Sequence, residues 1–244
     1  MKSMLLSLLA TCCCLASWNH PVAAAESAEP WLADVSFFVL GSSMDGKVTV
    51  KGLTSDVDVS FGDVLEHLQF GAMGSVRLVH GRWALSTEVI YMNLGMSKGV
   101  LNADMTQWVV EPTLRYRASK FLEPLAGFRY NSIEGELKGP FGKRPSGTQD
   151  WFDPIVGVNA TLPARANLAL SLRADIGGFG VGSDLTWQLF PTVDWYFAKT
   201  AWLQAGYRFV DVDYETGSGS DLFKYDVLTH GPQVGVTMRL GTAK

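Results

Sequence analysis

Three groups of residues in this sequence carry side chains that could do chemistry. One is a set of charges placed inside otherwise apolar, alternating segments: Glu88, Glu111, Arg115, Arg129, Asp153, Arg173, Asp175, Asp194 and Arg208. Carboxylates and guanidinium groups brought face to face make charge-assisted hydrogen bonds, so this set predicts a cohesive network and not a catalytic one. A second group is the histidines. With His20 assigned to a cleaved leader, His67, His80 and His230 remain, and none has a serine or acid partner set suited to nucleophilic or acid–base work. No catalytic residue is assigned and no enzyme activity is expected. The third group is acidic: Asp211, Asp213 and Glu215 with Asp221 and Asp226. Hard cations want several oxygens, but Gly217 comes too late for a calcium loop and Leu222 stands where a closing glutamate belongs. The patch reads as a solvated strand end, and no metal or other cofactor is expected.

Composition narrows the partners. The 244 residues include 24 acidic and 20 basic side chains, a formal net charge of -4, which leaves no basic surplus for phosphates and argues against nucleic acid. The chain is 47% hydrophobic and 11% aromatic, enough to bury a core. Its three cysteines stand together at Cys12, Cys13 and Cys14. They lie in an apolar stretch from Met4 to Ala16, after Lys2 and before the small residues that close Pro21 to Ala25. This pattern predicts a secretory signal peptide over residues 1–25. Residues 26–244 then hold no cysteine, so neither disulfides nor thiolate metal sites can stabilise them.

No apolar run beyond Ala25 reaches the ~18 residues of a spanning helix. The surviving signal is a period of two, which predicts ten strands near 31–43, 69–80, 82–94, 105–118, 121–134, 150–162, 166–177, 185–198, 201–214 and 223–240. Tight links at His80-Gly81-Arg82, Ser119-Lys120, Pro163-Ala164-Arg165 and Ala198-Lys199-Thr200 alternate with long ones at 44–68, 135–149 and 215–222. Short turns at one end and long loops at the other are the build of an outer-membrane barrel. The links around 95–104 and 178–184 are shorter, which keeps an eight-strand count as the alternative. A small hairpin (Lys47 to Leu53 with Val57 to Ser60) and a helix opened by Ser60-Phe61-Gly62-Asp63 are expected in the first long loop. An internal recurrence supports the count. Ala126-Gly127-Phe128-Arg129-Tyr130 returns 79 residues later as Ala205-Gly206-Tyr207-Arg208-Phe209, and Pro112-Thr113 returns at the same offset as Pro191-Thr192.

Parity assigns the faces. Trp108, Val110, Pro112, Leu114 and Tyr116 share one side of a strand, and Gln107, Glu111, Thr113, Arg115 and Arg117 share the other. Alternation alone would suit a soluble barrel turned inside out, and the lysines choose between the two. Lys47, Lys51, Lys98, Lys120, Lys138, Lys143, Lys199 and Lys224 all fall in loops or at strand ends. Arginines Arg129, Arg173 and Arg208 fall mid-strand, where facing lipid would cost about 2–4 kcal/mol each. Their side is therefore the lumen. Trp31, Trp83, Tyr116, Trp151, Trp187, Trp202 and Phe209 are expected in interfacial girdles.

The signal peptide, the strand pattern and the strings Asp150-Trp151-Phe152-Asp153-Pro154, Asp175-Ile176-Gly177-Gly178-Phe179-Gly180 and Gly206-Tyr207-Arg208-Phe209 resemble small proteobacterial outer-membrane β-barrel proteins of the OmpA/OmpW-like group. Such barrels usually close on an aromatic residue that the assembly machinery reads; Leu240 holds that place here, followed by Gly241 to Lys244. The expectation is an all-β, closed antiparallel transmembrane barrel over 31–240, with a short segment at 26–30 and a tail at 241–244. The resemblance implies the cell outer membrane, contact with lipid and lipopolysaccharide, insertion by the barrel-assembly machinery and a monomer. The lumenal charges predict a side-chain-plugged barrel with a structural or surface-interaction role, the alternative being a narrow channel for small solutes or ions.

Overall fold

The computed structural model describes residues 29–98, 101–138 and 146–241. The expected signal peptide, Lys143 and residues 242–244 of the tail lie outside the described residues. The chain begins with β1 (Leu32–Leu40), β2 (Ser43–Val50), β3 (Leu53–Val59) and a short helix, α1 (Phe61–His67). There follow β4 (Leu68–His80), β5 (Trp83–Lys98), β6 (Leu101–Tyr116), β7 (Leu122–Lys138) and β8 (Ser146–Arg165). The last are β9 (Leu168–Gly178), β10 (Leu185–Ala198), β11 (Ala201–Thr216) and β12 (Phe223–Leu240).

Strands β4 to β12 pair antiparallel in chain order, and β1 closes the cylinder by pairing with both β4 and β12. Ten strands therefore form the barrel, and the eight-strand alternative is excluded. Closure leaves no open edge in the wall, the condition for backbone to cross hydrocarbon, where water cannot satisfy an amide. Both described termini and the tight turns lie at one end, the periplasmic one by the rule that periplasmic turns are short.

The outer end departs from the loops the sequence predicts. The link at 95–104 is largely strand, β5 and β6 pairing as far as Lys98↔Leu101. Residues 135–138 and 146–149 are likewise strand, with Gly135 opposite Gly147. Antiparallel hairpins keep satisfying their own backbone above the membrane, so the bilayer does not set their ends. The hairpin in the first loop forms as β2 and β3, but its turn is Lys51-Gly52, with φ of 53° and 76°. Both angles are left-handed, as in a two-residue type I′ turn, and this places the turn earlier than expected. β2 continues the line of β1 along β12, pairing Ser43 with His230 and Val50 with Phe223. The helix carries the expected capping box. Ser60 Oγ accepts from the Asp63 amide, and the Asp63 carboxylate accepts from the Ser60 hydroxyl and amide. Those bonds, the hydroxyl first, hold the Asp63 carboxyl below the ordinary carboxylate range.

The internal recurrence is built on one local device. Thr113 pairs with Gly127, and Thr192 pairs with Gly206. A Cβ on Gly127 would lie 2.1 Å from the Pro112 carbonyl oxygen, and one on Gly206 would lie 2.2 Å from that of Pro191. Each proline lacks an amide to give to the ladder, and its carbonyl crowds a position that only glycine can fill. Two residues beyond each glycine stands an inward arginine, Arg129 or Arg208, both almost wholly buried.

Outside, the wall is apolar: Phe37, Phe128, Leu162, Leu170, Leu172, Val193, Trp195 and Met238 are all exposed. Trp83 packs on Tyr116 near the periplasmic end, with centroids 4.8 Å apart. Tyr91 packs on Trp108 at 4.5 Å nearer the other end. Eight residues of β5 separate Trp83 from Tyr91, roughly 20 Å at the usual rise and tilt, close to the ~25 Å apolar band of such barrels. This wall is suited to the bacterial outer membrane, and among the described residues no helix is long and apolar enough to cross a membrane. Leu172→Arg, on the outer face near mid-height, is expected to destabilise the protein by about 2–4 kcal/mol in urea unfolding from lipid vesicles. Unchanged stability would place that face away from hydrocarbon.

Candidate functional site

The lumen is layered, and its middle layer is ionic. Glu111 on β6, Arg129 on β7, and Arg173 and Asp175 on β9 form a closed ring of alternating charge. Arg129 donates from Nε to Glu111 Oε2 at 2.8 Å and from Nη2 to Asp175 Oδ1 at 2.7 Å. Arg173 completes the circuit, donating from Nε to Asp175 Oδ2 at 3.0 Å and from Nη2 to Glu111 Oε1. All four side chains are buried. The ring is tied outward to other strands. Arg129 Nη1 donates to Thr186 Oγ1 at 3.0 Å, and Gln188 Nε2 donates to Asp175 Oδ2 at 3.2 Å. Gln188 Oε1 accepts from Arg208 Nε at 3.0 Å, and Arg208 reaches Glu88 Oε1 at 2.6 Å. Six of the ten wall strands thus contribute to one network across the lumen.

Above the ring, toward the cell surface, the lumen is filled largely by apolar side chains. Phe38, Met44, Ile90, Met92, Val212, Tyr225 and Val227 are packed there, with Trp151 stacked on Tyr214 at 4.2 Å and 8°. Only about 50 Å³ of space separates this plug from the arginines. Asp153 borders the plug, accepting from Trp151 Nε1 at 3.0 Å and from Ser183 N and Oγ at 2.6 and 2.9 Å. It has no arginine partner among the described residues; it fastens the β9–β10 link to the wall. Below the ring lies a polar cavity of about 200 Å³. A second ionic cluster sits at the periplasmic rim. There Arg239 grips Asp34 through two bonds of 2.6 and 2.9 Å, and Arg77 grips Glu123 through two bonds of 2.8 Å.

Of the nine residues predicted to share the lumen, six meet in the central network: Glu88, Glu111, Arg129, Arg173, Asp175 and Arg208. The other three face inward elsewhere. Asp194 accepts from Ser171 at 2.6 Å and Gln204 at 2.9 Å, while Arg115 lines the lower cavity. Sequence reasoning places Gln188 on the polar face with Thr192 and Asp194 but not in the network, and it missed Thr186, which has the same parity. It also missed the rim cluster, because Asp34, Arg77 and Arg239 lie at strand ends where charge looks merely solvated. Two girdle assignments are corrected. Trp151 shares parity with Asp153 and is buried in the plug, and Trp202 lines the lower cavity beneath Arg239. Proximity to a strand end suggested the girdle, but parity decides.

The remaining candidates are dispersed. His67 Nδ1 lies 2.7 Å from the Asp63 carbonyl within α1, and His80 stacks on Trp31. His230 lies on the outer face, with Asp45 at 2.8 Å from Nε2 and the Tyr207 hydroxyl at 2.7 Å from Nδ1. In the acidic patch Lys224 Nζ stands 3.3 Å from Asp213, with Glu215 and Asp226 at 4.0 Å, so a lysine already occupies its centre.

No family model matches this chain, and no curated protein matches it. Solved structures do. The outer membrane protease OmpT from Escherichia coli superposes with a TM-score of 0.53 at 9% identity, covering 88% of this chain and 98% of that one. Ail, the attachment invasion locus protein of Yersinia pestis, gives 0.45 at 10% identity over 87% and 99%. Neisserial surface protein A gives 0.32 at 9% over 86% and 95%. At such identities the likeness is one of fold. With the closed ten-strand sheet and the apolar exterior, the OmpT superposition makes this chain a β-barrel of the bacterial outer-membrane type.

Glu111→Gln strips two guanidinium groups of a carboxylate and is expected to cost about 3–5 kcal/mol. The double variant Glu111→Met/Arg129→Met leaves Arg173 with Asp175 and should cost less than the sum of the single changes. A double-mutant cycle by urea unfolding checks this, and strict additivity would contradict a coupled ring.

Proposed function

We propose that this protein is a plugged barrel of the OmpA/OmpW-like kind, with a structural or surface-interaction role exercised through its outward hairpins and not through its lumen. The observation that carries this reading is the stacking of two seals in series, the ionic ring and the aromatic plug around Trp151. A solute entering from outside would have to part both, and the ring resists parting because each member would be left as a buried unpaired charge. The material offered to a partner is then the raised wall: β2 and β3, α1 with Phe61 and Leu65 exposed, and the β5–β6 and β7–β8 hairpins. The protein acts as a monomer in contact with lipid and lipopolysaccharide and needs no cofactor. Catalysis is not part of the proposal. His230 spends both ring nitrogens on Asp45 and Tyr207.

A narrow channel is the second reading, favoured by the polar cavity below the ring. Planar-bilayer recording of refolded protein, with insertion verified, separates them. The plugged reading predicts no conductance steps from the native chain and steps from Glu111→Ala/Arg129→Ala/Trp151→Ala, which removes both seals. Steps from the native protein would support the channel.

A further inference from the structure

The cavity beneath the ring has its own charge arithmetic. Arg173 is spent on Glu111 and Asp175, Arg208 on Glu88, and Arg77 and Arg239 on Glu123 and Asp34. Asp194, the remaining carboxylate of the wall, is satisfied by the neutral donors Ser171 and Gln204. Arg115 and Asp194 are thus the two charges of this cavity without an ionic partner among the described residues. Arg115 has no carboxylate within 4.0 Å among the described residues, and it donates a long hydrogen bond from Nε to Thr113 Oγ1 at 3.4 Å.

Its position explains the deficit. On the neighbouring strands Arg115 is opposite Ala84 and Leu125, both buried and neither able to accept a hydrogen bond with its side chain. Around it the cavity presents the hydroxyls of Ser36, Ser75, Ser86 and Thr161. At about 200 Å³ the space is many times what one water needs, and it admits a small polyatomic guest.

We propose that the periplasmic half of the lumen is a binding site for a small oxyanion, held by the Arg115 guanidinium and the surrounding serine and threonine hydroxyls. A guanidinium removed from bulk water is stabilised most by a charged oxygen partner, and its fork matches two oxygens of one phosphate, sulfate or carboxylate. The hydroxyls suit the same guest, since each can turn its proton toward an anion. Neutral sugars would satisfy the hydroxyls but leave the guanidinium uncompensated. The guest is a periplasmic solute, because the ring and plug close the lumen above it. The site stands whether or not the barrel conducts.

Titration calorimetry of the refolded protein in non-ionic detergent, with inorganic phosphate, sulfate and acetate in turn, tests this. Saturable binding of at least one of the three is expected, weakened at least tenfold by Arg115→Met. Lys120→Met, on a periplasmic turn away from the cavity, should leave affinity unchanged. Retained folding of each variant is read from the far-ultraviolet circular dichroism of its sheet. No saturable binding of any of the three anions by the native protein would overturn the proposal, as would equal affinity in a folded Arg115→Met variant.

Discussion

Hydrocarbon offers neither hydrogen bonds nor counter-charges, and this one fact organises the molecule. Every backbone amide of the spanning segments must find its partner in the next strand, so the sheet has to close, and β1 closes it by bonding to β4 and β12. The same fact turns each strand about its axis. Leu172 and Arg173 are adjacent in sequence, yet one is exposed on the outer wall and the other is buried against Glu111. A slip of one residue would exchange them on that strand and carry several charges into lipid, so register is fixed by the solvent more firmly than by any single contact.

The charges driven inward then have to be neutralised where they meet. A lone carboxylate or guanidinium closed off at the level of the ring would be strongly destabilising, but alternating pairs in a ring compensate one another and bind strands that are not neighbours in the sheet. The ring adds cross-bracing to a cylinder that has no central packing at that level. Above it the bracing is of another kind, with aromatic and aliphatic side chains filling the bore around Trp151. Lower down neither device is complete: the walls are polar, one arginine lacks a carboxylate, and there is open space. That gradient from apolar and filled to polar and open gives the two ends of the lumen different chemistry.

Most of the fold was legible in the sequence because the membrane imposes a period of two with opposite faces. Strand number, the tight-turn end and the inward facing of all nine charges followed from parity and lysine position. The plug was not legible, because near the outer rim both faces are apolar. Ile90 and Met92 face inward and Tyr91 outward, yet nothing in their chemistry distinguishes lumen from lipid. The extent of the outer hairpins was hidden for a related reason, since above the bilayer neither face is constrained. Pairing partners within the lumen also lay beyond the sequence. Parity tells that Arg129 points inward, but only closure of the barrel brings it to Asp175, 46 residues away.

Residues 26–244 contain no cysteine, so single cysteines can report which way each side faces. The most direct measurement is thiol labelling of Ser171→Cys and Leu172→Cys in lipid vesicles, with a charged water-soluble reagent and with an uncharged one that partitions into lipid. The account predicts that the cysteine at 171 reacts with the charged reagent and the cysteine at 172 with the lipid-soluble reagent alone. Charged-reagent labelling at 172 with protection at 171 would reverse the faces and contradict the account at its root.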